Sequence, residues 1–112
     1  MNIKGIISAD RPCEACGNTN VERLVVLEND NGELVRVGST CAGYMLLGKK
    51  NRKNGSIVLD KAKAAQLAVD LMDKHGTEPA MLKRIAQAVW NRHGYCTEIR
   101  AGRVQLAPAF CA

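Results

Sequence analysis

Two periods of apolar residues divide the chain. Up to about residue 48, Val, Ile and Leu come in short, roughly alternating runs; from about residue 56 they recur every three or four positions. Ile3, Ile6 and Ile7 suggest a first strand over residues 2–8, broken at Gly5. Residues 21–27 are rich in β-branched and aliphatic side chains and predict a second strand. Residues 34–37 predict its return strand. Between them lies Glu28-Asn29-Asp30-Asn31-Gly32-Glu33, in which Asn31 and Gly32 both tolerate the positive φ of a two-residue type I′ turn. That turn sets Val26 opposite Val37 and Glu28 opposite Val35. Ser39 or Thr40 then caps a short helix that runs to about Leu47 and stops at Gly48.

Lys49-Lys50-Asn51-Arg52-Lys53-Asn54-Gly55 follows as a basic polar linker. Val58, Ala62, Ala65, Val69 and Met72 then form an apolar helical stripe, with Lys63, Gln66, Asp70 and Asp73 on the other side. The helix starts at Asp60 or near Ser56 and ends at His75-Gly76. Thr77 caps the next helix, Pro79 fits its first turn, and Leu82, Ile85, Ala86 and Val89 are its buried side. Gly94 stops it. Residues 95–106 predict a second hairpin, turning at Ala101-Gly102 with Ile99, Val104 and Leu106 inward; Pro108 ends it, and the last four residues belong to no element. The expected fold is α+β: a metal-stapled β-hairpin module, a helical hairpin and a C-terminal β-hairpin. It forms one domain over residues 1–112, with a β-rich half (1–48), a basic linker (49–55) and a helical half (56–112).

Composition sharpens this reading. Aromatic residues are only 4% of the 112, so the core must rest on Val, Leu, Ile and Ala, and a metal staple would help it. A net charge of +5 permits nucleic acid or an acidic protein as partner. Neither a basic start before an apolar run nor a membrane-length apolar stretch is visible, so a cytoplasmic, reducing setting without membrane partners is expected. There the five cysteines are expected as metal ligands or free thiols rather than disulfides.

Cys13-Glu14-Ala15-Cys16-Gly17 has the spacing of a zinc knuckle: two thiolates reach one ion across a turn that Gly17 tightens. The hairpin carries Cys41 back to this turn at the start of a helix. Zn²⁺ takes four ligands in a closed site, and one helical turn after Cys41 stands Tyr44, a poor one. The fourth is expected to be Cys96, with His93 as the alternative; His75 and Cys111 are further candidates. Two other readings remain open. The cysteines are ordinary buried residues, or Cys13 and Cys16 are a redox pair, for which the usual βαβ setting is lacking.

Cys-x-x-Cys-Gly, a hairpin tipped by Asp-Asn-Gly, and Val-Gly-Ser-Thr-Cys-Ala-Gly together resemble small zinc-binding proteins carried by bacteriophages and plasmids. The resemblance covers about residues 11–48. It implies a treble-clef or zinc-ribbon-like module of a bacterial mobile element, working in the host cytoplasm.

Lys49, Lys50, Arg52 and Lys53 are the one dense basic run, and Arg84 and Arg92 stand on the exposed side of the last helix with Lys83, Gln87 and Asn91. A solvated linker and an ordinary wet helix face are the plain readings of these residues. As a phosphate-contacting surface they suit duplex DNA better than single strands, because few aromatics are present for base stacking. No phosphate-cradling loop, His-Glu-x-x-His pair or apolar carboxylate pair marks an enzyme or a small-molecule substrate. Two functions are expected as alternatives: a non-enzymatic, zinc-stabilised accessory protein acting on DNA, or a module that binds and inhibits a host protein complex such as a defence complex.

Overall fold

A computed structural model describes residues 1–107. Its elements are β1 (Asn2–Ser8), β2 (Arg23–Glu28), β3 (Leu34–Val37), α1 (Ser39–Leu47), α2 (Arg52–His75), α3 (Pro79–His93), β4 (Thr97–Arg100) and β5 (Arg103–Leu106). The fold is α+β, with one three-stranded and one two-stranded antiparallel sheet. Pro108 and Cys111 lie outside the described residues. The residues group into two compact units, Met1–Lys63 and from Ala64 onward. The division falls inside α2, not at residues 49–55.

In the first unit the sheet order is β1-β2-β3. Gly5 does not break β1; instead the register shifts between Ile3 and Gly5. Residues three apart on a regular strand face opposite sides. The extra residue turns Ile3 and Ile6 to one face, opposite Leu27 and Val25. Both then pack on the cluster formed by Val25, Leu27, Val37, Cys13, Cys41, Ala42, Val58 and Ala62.

The β2–β3 register differs from the expected one by a residue: Val25 pairs with Val37, and Leu27 with Val35. The loop is the cause. Asn29 N–H donates to Glu33 O at 2.9 Å, and Asn29 Oδ1 accepts from the N–H groups of Asn31 and Glu33, both at 2.9 Å. Three residues therefore turn the chain, and only Gly32 among them has positive φ (80°). The shift puts Val37 and Val35 on the face that Val25 and Leu27 share, whereas a Val26–Val37 pairing would have set them on the opposite face.

The cap of α1 is Gly38, not Ser39 or Thr40, and no side chain bonds to it. Gly48, in the left-handed region, ends the helix by donating its N–H to Tyr44 O. α2 begins at Arg52, earlier than Ser56 or Asp60, so four of the seven expected linker residues are helical. Asn51 is the reason: its Oδ1 accepts the Asn54 N–H at 2.8 Å, an N-cap bond at the usual spacing.

In the second unit Ala64, Ala68 and Met72 of α2 pack with Leu82, Ile85 and Val89 of α3 and with Val104 of β5. The stripe expected for α2 holds, with Ala68 fully buried and Val69 only partly. Gly76 and Gly94 have positive φ and close the two helices. The residue before α3 is Glu78, in extended conformation, rather than Thr77, and Pro79 opens the helix. Ala101 (φ 53°) and Gly102 (φ 72°) supply a two-residue turn joining β4 to β5. Val104 faces inward as expected, whereas Ile99 stays 49% exposed. Among the described residues no helix is long and apolar enough to cross a membrane.

Candidate metal centre

The knuckle forms as its spacing requires. Gly17 N–H donates to Cys13 O at 2.8 Å, and Gly17 takes φ 75°. A second pair of bonds fastens the turn to β3. Glu14 N–H donates to Arg36 O at 3.0 Å, and the Glu14 carboxylate accepts the Arg36 N–H at 3.3 Å. The hairpin leads directly into α1, whose first turn carries Cys41. The sulfurs of Cys13, Cys16 and Cys41 consequently lie within 4.8 Å of one another. All three are free thiols. Cys13 and Cys41 are buried and Cys16 is exposed.

The electrostatics of the cluster are unequal. Burial pushes the Cys13 thiol up, but N–H donors from Gly38, Cys16 and Ala15 outweigh it and bring the group down to about 7. The Gly38 N–H lies 3.3 Å from Cys13 Sγ. Cys41 is pushed up to about 11, first by burial and then by its contacts with the sulfurs of Cys16 and Cys13. Three sulfurs this close repel one another once ionised, and a cation among them removes that penalty. Thiolates about 2.3 Å from a tetrahedral metal stand about 3.8 Å apart, so a spread within 4.8 Å suits one soft ion. The cluster can hold a metal ion.

A cavity of roughly 560 Å³ opens onto the three cysteines and is also lined by Glu22, Arg23 and Lys50. The residues expected to supply a fourth ligand belong to the second unit. His93 is the last residue of α3. Cys96 is disulfide-bonded, which leaves it no thiolate for a metal and departs from the expectation of no disulfides. Tyr44, which stands where a treble clef places its last ligand, is 59% exposed.

The basic residues divide in the same way. Lys49, Lys50, Arg52 and Lys53 are exposed in the first unit, and Lys50 with Arg52 lines a second cavity beside the first. Arg84 and Arg92 are exposed on α3 in the second unit. Three contributors escaped the sequence reading. Gly38 is a donor to sulfur, Glu14 a fastener of the knuckle, and Asn51 a cap. Asn51 alone had a local signal, an Asn three residues before the N–H that it accepts.

No protein-family model, curated protein or solved structure matches the chain.

Proposed function

We propose that this is a zinc-stabilised accessory protein that binds duplex DNA through phosphate contacts. Zinc is the ion favoured by three thiolates in a small, loop-rich unit with few large side chains. Cys13, Cys16 and Cys41 would hold it. The zinc fixes the start of α1 to the knuckle and thereby stabilises the first unit.

One observation carries the DNA reading. Lys49, Lys50, Arg52 and Lys53 are exposed together beside the thiolate cluster, and none of them has an ion-pair partner among the described residues. Four free cations on one loop and helix start attract a polyanion. Provenance in a bacterial mobile element rests on the resemblance of residues 11–48 alone.

The test is a salt titration of binding to a short duplex, comparing wild type with K49A/K50A/R52A/K53A. Each lost phosphate contact flattens the slope of log affinity against log salt by about 0.9. Equal slopes, or no wild-type binding at low salt, reject the reading. A second reading has its own observation. Tyr44, Met45 and Leu47 stand exposed on α1, a set of large apolar side chains that suits a host protein partner. A stoichiometric complex with a host protein that survives nuclease would favour it.

A further inference from the structure

We infer that the cavity between the start of α1 and the start of α2 is a binding site for a phosphate group. The inference rests on the DNA reading for its source of phosphate, a backbone phosphodiester, but the site itself follows from its lining. The cavity measures roughly 510 Å³ and is walled by Ser39, Thr40, Lys50, Asn51, Arg52 and Ser56, with no carboxylate among its lining residues.

The donors fit the ligand. Lys50 and Arg52 bring two full positive charges, and neither is engaged in an ion pair among the described residues. Arg presents a planar fork that matches two phosphate oxygens, and Lys adds a compact charge. Ser39, Thr40 and Ser56 add three hydroxyl donors, and no hydrogen bond among the described residues occupies their side chains. Asn51 Oδ1 is already committed to capping α2, so this oxygen is turned to the helix and leaves the donors to set the polarity of the wall. The first turn of α1 also contains no acidic residue that would repel an anion.

The metal centre adjoins this site through the chain itself. Thr40 is followed directly by Cys41, and Ser39, Thr40 and Lys50 line both cavities. Zinc on Cys41 holds the two hydroxyl residues in place. If zinc tightens phosphate binding in this way, phosphate tightens zinc binding by the same factor.

The experiment is a titration of ¹⁵N-labelled, zinc-loaded full-length chain with inorganic phosphate at constant ionic strength. The expected result is saturable shifts at the Ser39, Thr40 and Ser56 amides. K50A and R52A each weaken binding about tenfold, the worth of one charge-assisted hydrogen bond. T40V weakens it about threefold. K61A, which removes a lysine of α2 outside the cavity, is the control for net charge. Thr40, Lys50 and Arg52 are exposed and Lys61 is half-buried; spectra unshifted away from each substitution verify that the variants fold. Absence of saturable shifts, or losses in K50A and R52A no larger than in K61A, overturns the site.

A dinucleotide phosphodiester titrated in parallel identifies the source. If it binds as inorganic phosphate does, the backbone reading is supported. If only inorganic phosphate binds, the site stands and serves a free phosphate or monoester. The same variants on a short duplex separate the two ideas. Phosphate binding without duplex binding keeps the site and rejects the DNA reading. Duplex binding that K50A and R52A weaken no more than K49A and K53A keeps the DNA reading and rejects a DNA phosphodiester as the occupant of the site.

Discussion

A Cβ placed on Gly43 of α1 would lie 3.0 Å from the backbone nitrogen of Gly55 in α2 and 3.0 Å from the carbonyl carbon of Asn54. The two helix backbones touch there. That contact fixes the Cys41-bearing helix against the helix start that carries Arg52. It also explains a glycine inside a helix, where glycine is otherwise unfavourable by about 1 kcal/mol relative to alanine.

The two glycines should respond differently to alanine. Gly43→Ala forces backbone apart and is expected to destabilise by about 1–3 kcal/mol, as overpacking does. At Gly55 the new Cβ meets its nearest atom, Thr40 Cα, at 3.5 Å, an ordinary contact. Gly55→Ala is therefore expected to be neutral or slightly stabilising. Urea denaturation of the zinc-loaded proteins measures both, and equal losses would show that the close approach is absent.

Zinc content and stability should fall together. Purified wild type, prepared without chelator, is expected to hold about one zinc per chain. Cys13→Ser should lose it and melt at a lower temperature. Chelator should bring wild type down to the melting point of that variant and leave the variant itself unmoved. Metal-free wild type with an unchanged melting curve would remove zinc from the account.

Metal binding should release protons in a pH-dependent number. In the metal-free state Cys13 ionises near pH 7, while Cys41, at about 11, keeps its proton throughout the neutral range. All three sulfurs bind as thiolates. Below pH 7 zinc must displace the proton of Cys13 as well as that of Cys41; above it the Cys13 proton has already gone. Release is thus expected to drop by up to about one proton per zinc between pH 6 and pH 8 from Cys13. Affinity rises with pH for the same reason. Titration of zinc into weakly buffered protein, followed with a pH indicator, reads the number directly.

The first hairpin should depend on Asn29 rather than Asn31. The Asn29 carboxamide oxygen accepts two backbone N–H groups, whereas Asn31 has no positive φ to favour it. Asn29→Ala is expected to lose about 1 kcal/mol and Asn29→Asp to keep most of the stability. Asn31→Ala should stay within about 0.5 kcal/mol of wild type. The reverse order in chemical denaturation would restore the two-residue turn.

The apolar stripes, the helix-ending glycines and the cysteine turn were legible from sequence alone. Val58, Ala62, Ala65 and Met72 lie on the buried side of α2, and Leu82, Ile85 and Val89 on that of α3, because three- and four-residue spacing places them there. Gly48, Gly76 and Gly94 end helices through a conformation that their own backbone permits. The Cys13–Cys16 spacing likewise forms a turn through its own hydrogen bonds. Side-chain bonds within loops and contacts across longer separations decided the rest. A one-residue shift in the β2–β3 pairing arose from a side chain in the loop, and the bulge in β1 from the need to turn Ile3 and Ile6 towards one core. Basic residues that looked like a linker became the start of a helix, because Asn51 caps it and Gly55 passes under Gly43. Only folding set Lys50 and Arg52 beside Ser39 and Thr40, and the Gly38 N–H against the Cys13 sulfur. These pairs are separated by 10 to 25 positions. Local periodicity carries no information at that range, and packing of the apolar faces determines which of them meet.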